Sequence, residues 1–96
     1  MKLIYADFMK FTGDHLILTC RGTWNDLTKY GISLEDGLKL VFYNEDEDGN
    51  GNRDDLVVEG VVEYDKKNER WLAKINFGDV KNISQLSAEE RRRFGV

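Results

Sequence analysis

Apolar and polar positions alternate with period two over most of this chain. Leu3 to Phe8 sets Leu3 and Tyr5 against Ile4, Ala6 and Phe8, a pattern that predicts a strand with one buried face. His15 to Cys20 puts Leu16, Leu18 and Cys20 on one side, and the Thr12-Gly13-Asp14 turn between the two runs predicts a first hairpin. Leu38 to Tyr43 sets Leu38, Leu40 and Phe42 against Lys39, Val41 and Tyr43. Leu56 to Tyr64 repeats the pattern, with Leu56, Val58, Val62 and Tyr64 inward, and Arg70 to Phe77 turns Trp71, Ala73, Ile75 and Phe77 to one face. Gly60 falls on the inner face of its run, where a glycine marks a bulge or a sharp bend.

Two segments leave this rhythm. Trp24, Leu27 and Tyr30 recur at helical spacing behind Thr23 and Asp26, which fit a capping pattern. Gly31 then predicts a left-handed cap, with Ile32 supplying the hydrophobic contact that accompanies it. Ser87-Ala88-Glu89-Glu90 is a capping box before a helix over Glu89 to Phe94 that closes on three arginines. A helix that short needs docking to persist, and Leu86 and Phe94 are its anchors.

The predicted architecture is mainly β: five strands forming a small barrel or a curled antiparallel sheet. A short helix stands between strands 2 and 3 and another at the C-terminal end. The entry Leu34-x-x-Gly37-Leu38-x-Leu40 resembles the opening of many SH3-like barrels, which implies that fold for a single domain over residues 1–96. An α+β roll built on the same strands is the structural rival.

Composition narrows the function. No apolar run approaches the roughly 20 residues of a membrane-spanning helix. The short run after Met1-Lys2 is broken by Asp7, unlike a secretory leader, so a cytoplasmic protein is expected. The net charge is −4, with basic residues scattered except at Arg91-Arg92-Arg93, so the surface should repel nucleic acid and anionic membranes. Cys20 is the only cysteine and reads as a buried, inert thiol. His15 is the only histidine, and neither has an obvious catalytic partner, so no enzyme is expected.

Asn44 to Asp55 carries six carboxylates, one arginine and two glycines. Oxygen ligands at Asp46, Asp48 and Asn50, followed by Gly51, can wrap a hard cation. The stretch resembles the DxDxDG calcium loops of EF-hands and thrombospondin-type repeats. That resemblance implies calcium ligation by Asp46, Asp48, Asn50, the carbonyl of Asn52, and Asp54. It departs from an EF-hand in Arg53, where an aliphatic residue belongs, in Val57, where the bidentate glutamate belongs, and in its strand flanks. Asp55 or Glu59 would have to supply the missing oxygens. The same residues also make an ordinary solvated hairpin loop.

Two further surfaces are candidates. Val41, Tyr43, Val57, Val61 and Leu72 fall on the outer face, a patch that either binds a partner or lies under one of the helices. Trp24, Tyr30, Tyr43 and Trp71 are the aromatics available for a peptide groove, with Trp71 assigned to the core. The arginine triplet grips a phosphate or an acidic partner, or simply terminates its helix and stays solvated, or docks on the acidic loop within the molecule or across a dimer. The expected function is therefore a small non-enzymatic interaction or adaptor module with a protein partner or a copy of itself. The alternative is a calcium-binding domain using residues 45–55.

Overall fold

The computed structural model describes residues 2–96. The chain is mainly β, with two α-helices and an open, unclosed sheet. In chain order the strands are β1 (Leu3–Tyr5), β2 (Phe11–Thr12), β3 (His15–Ile17), β4 (Lys39–Asn44), β5 (Leu56–Asp65), β6 (Arg70–Lys74) and β7 (Lys81–Asn82). The helices are α1 (Arg21–Lys29) and α2 (Ala88–Phe94), and single 3-10 turns occupy Phe77–Asp79 and Ile83–Gln85. Seven strands among the described residues replace the expected five. The additions, β2 and β7, are two residues each, too short for alternation to reveal.

The sheet runs β1-β4-β5-β6-β3-β2, with β7 also on β5. The meander β4-β5-β6 is antiparallel throughout and continuous in register, and ten-residue β5 is its spine. The expected first hairpin does not form. β1 pairs in parallel with β4, and β3 pairs with β6 and with β2. Five inter-strand spacings of about 4.8 Å would set β1 and β2 roughly 24 Å apart in a flat sheet. The chain between Tyr5 and Phe11 spans at most about 20 Å when fully extended and contains a turn from Asp7 to Lys10. The sheet therefore curls, bringing its two ends toward each other without pairing them.

The concave face holds the main core. Ile4, Ala6, Phe8, Leu16, Leu18, Leu40, Phe42, Val58, Val62, Ala73 and Ile75 pack there with Leu27 of α1. Gly60 sits in this core for a reason other than a bulge. Its pairing with Leu40 lies inside an unbroken register, and a side chain there would meet the Ile75 Cγ2 at 2.9 Å. Tyr64, expected inward, is exposed and stacks edge-on against half-buried Trp71.

Helix α1 begins two residues before the expected cap, with Cys20 at the N-cap position making no side-chain cap. Cys20 is half-buried rather than buried, because β3 ends at Ile17 before reaching it. Thr23 and Asp26 act across the fold instead. Fully buried Thr23 Oγ1 donates to the carbonyl of Tyr5 (2.6 Å), and the Asp26 carboxylate accepts from the Tyr5 N–H (2.9 Å). These are the backbone groups that β1 turns away from β4, so α1 closes the free edge of the sheet. The other end of α1 forms as expected. Gly31 is left-handed (φ +64°), its N–H donates to Thr28, and the Ile32 N–H donates to Leu27, the paired bonds of a Schellman cap.

Candidate functional site

The convex face is the first candidate, and α2 covers much of it. Val41 and Val57 are fully buried against Leu86 and Phe94, with Leu3, Tyr43 and Ile83 around them. Leu72 is buried and Val61 is half-buried. The five residues read as a partner patch share the predicted face, but they do not form a free surface. A short helix rich in charge and the residue just before its cap supply the two apolar anchors, Phe94 and Leu86, that fill it.

The capping box holds α2 in place. The Ser87 hydroxyl accepts from the Glu90 N–H, and the Glu90 carboxylate accepts from the Ser87 N–H and from Lys81 Nζ on β7. The Ser87 amide, and then Lys81, hold the Glu90 carboxyl below its ordinary value of 4.5. A depressed carboxyl contributes stability that is complete above pH 4.5 and lost as pH falls through the folded-state value. Acidification below that point should therefore loosen α2 first, seen as lower protection of the Glu90 and Arg91 amides relative to their intrinsic exchange rates at the same pH, while Glu90→Gln should remove most of this pH dependence. Exchange that stays slow in α2 until the whole protein unfolds would contradict it.

The acidic loop is well knit. Asp48 accepts from the N–H groups of Asn50 (2.8 Å) and Asn52 (2.9 Å), and these bonds lower its carboxyl, the Asn52 amide most. Gly51 takes the left-handed turn (φ +80°). Asp46 accepts from the Asn82 side chain (2.9 Å), and Asp54 accepts from the N–H and hydroxyl of Ser84. Asp55, nearly buried, receives Arg53 Nε on both oxygens at 3.0 and 3.1 Å. Asn50 and Asn52 are exposed at the tip. Among the described residues no three His, Cys, Asp or Glu side chains converge on one point. The donors from Asn82 and Ser84 are the part of this loop that reading its own twelve residues misses.

The other candidates separate. Trp24 projects from α1 half-exposed, with its Nε1–H donating to the Leu18 carbonyl (3.0 Å). Tyr30 packs on the main core, Trp71 pairs with Tyr64, and Tyr43 pairs with Tyr5, so the four aromatics share no groove. Arg91 donates to the Ile83 carbonyl (3.0 Å), and among the described ion pairs none joins the triplet to the acidic loop. His15 is better connected than its neighbours in sequence suggest. Its two ring nitrogens lie 2.9 Å from Asp14 and 2.7 Å from Glu63, a carboxylate 48 positions away.

Two aromatic features were missed. Phe11 on terminal strand β2 and Phe77 after β6 meet edge-to-face at 5.1 Å, and both remain substantially exposed, at 48% and 39%. Separately, Tyr5 and Tyr43 stand nearly perpendicular (82°) at 5.6 Å, facing Asp26 and Glu45 across an open cleft. Only the pairing of β1 with β4 brings those tyrosines together.

No known family profile, curated relative or solved structure matches this chain. Among the described residues no helix is long and apolar enough to cross a membrane.

Proposed function

We propose that this protein is a small cytoplasmic interaction module that works by binding a protein partner and not by catalysis. We read its curled meander as a variant of the SH3-like barrel. The carrying observation is the Phe11–Phe77 pair, two large part-exposed rings, one on the strand that ends the sheet and one on the turn after β6. With 48% and 39% of the two residues exposed, completing the burial would contribute, for each, roughly half of the 1.5–3 kcal/mol that full burial of such a side chain gives. A strand edge beside an apolar corner is suited to a partner strand that adds to β2 and covers the rings. The net charge of −4 favours a protein over a nucleic acid in that role.

The double variant Phe11→Ser, Phe77→Ser should keep the melting temperature within a few degrees, since neither ring is buried. It should lose whatever association the natural chain shows by sedimentation and by retention of a partner from extract. A natural chain that stays monomeric and retains nothing would sink the reading.

A calcium loop is the second reading, supported by the charge crowding in residues 45–55 and by the left-handed turn at Gly51. It ranks second because Asp54 has both carboxylate oxygens engaged by Ser84, whereas Asp46 and Asp48 each keep one oxygen free among the described residues. Millimolar calcium should leave the melting temperature unchanged against a magnesium control. A rise confined to calcium would follow from binding to the folded state and would promote this reading.

A further inference from the structure

The geometry points to a second site: we propose that the cleft between Tyr5 and Tyr43 receives the ammonium group of a lysine side chain from a basic protein segment. Parallel pairing sets Tyr5 beside Tyr43, and Gly22 at the start of α1 leaves room for the Tyr5 ring. A β-carbon at Gly22 would come within 2.8 Å of that ring. The rings meet at 82°, so a cation can approach the face of one and remain near the other.

The rim completes the chemistry. Asp26 uses one oxygen to hold the Tyr5 N–H, and Glu45 has only a distant guanidinium, Arg53, at 3.9 Å. The chain's nearby cations are engaged elsewhere. Arg53 is on Asp55, and Lys2 and Lys29 lie over Tyr30. Burial is the main reason that both phenols stay protonated to higher pH than usual. Asp7, Cys20 and Glu45 act with it at Tyr5; at Tyr43 Asp26 raises the phenol further, Arg53 partly offsets this, and Glu45 and Asp55 add to the rise, so carboxylates outnumber the one guanidinium at this opening. Ring faces and carboxylates around one opening attract an alkylammonium, whose methylenes pack on the rings while its head meets the carboxylates.

The test is an NMR titration of the full chain with a capped Ala-Lys-Ala peptide, its norleucine counterpart and putrescine. Saturating shifts are expected at Tyr5, Gly22, Tyr43 and Glu45 with the lysine peptide and not with norleucine. Tyr43→Leu or Glu45→Gln should weaken binding about fivefold or more. Glu45 is exposed, so its variant stays folded and remains informative if Tyr43→Leu does not. Shifts that spread over Asp46–Asp54 without saturating, or that survive Glu45→Gln, would reduce the effect to diffuse charge attraction and overturn the site. Putrescine binding more tightly than the peptide would overturn the protein partner in favour of a free polyamine. The site is independent of the Phe11–Phe77 corner, so the double serine variant should bind the lysine peptide unchanged.

Discussion

Phe94→Ala is expected to lower the free energy of unfolding by about 3 kcal/mol, within the range for truncating a buried phenylalanine. Phe94 is 4% exposed and is one of two anchors that seat α2 on Val41 and Val57. A seven-residue helix cannot persist undocked, so the loss should extend beyond one cavity. The variant should shift the urea midpoint strongly and uncover the convex face, seen as binding of an apolar dye. Total stability for a domain of this kind is about 5–15 kcal/mol, so the loss is a large share of it. A change below about 1 kcal/mol would mean that α2 contributes little to the fold. Val96→Ala is the matched control, since Val96 is exposed.

Gly60→Val should be the second severe change, at about 2–3 kcal/mol, although strand propensity alone predicts a gain. The site is closed on three sides. An added β-carbon would lie 2.9 Å from the Ile75 Cγ2, 3.1 Å from the Lys74 carbonyl and 3.1 Å from the Phe42 ring. The backbone carbonyl cannot rotate away as a side chain can, so the sheet itself must shift. Gly60→Ala should cost less, and adding Ile75→Leu should recover part of that cost, because leucine is unbranched at the β-carbon and so removes the Cγ2 methyl that the new β-carbon would meet. A stabilised Gly60→Ala would show that Gly60 is a propensity defect and not a packing requirement.

These two sites show how unevenly the chain can be read. Helix ends were legible because caps are local: Gly31 with Ile32, and Ser87 with Glu90, close bonds within one turn. Thr23 and Asp26 have the same residue types but are spent on Tyr5 of β1. A hydroxyl on a helix does not announce whether it will cap its own helix or serve a distant backbone. The acidic loop was recognised by composition, yet its carboxylates take Asn82, Ser84 and Arg53 as partners, two of them far along the chain. The Phe11–Phe77 corner and the Tyr5–Tyr43 cleft had no sequence signal, because each joins residues from different strands or strand ends.

Alternation and short-range capping by themselves determined that this chain is mainly β, where its two helices lie, that an acidic turn joins two long strands, and which residues face the main core, apart from Tyr64, Phe77 and Cys20. Each of these depends on residues within a few positions of one another, so local sterics and the apolar stripe suffice. Tertiary structure decided the rest. It paired β1 with β4 and not with β3, laid α2 over the convex face, forced a glycine at position 60, and brought two tyrosines together on an acidic rim. Those outcomes depend on which apolar surfaces meet across long stretches of chain, a choice made by burial of the whole sheet and not by any one segment of it.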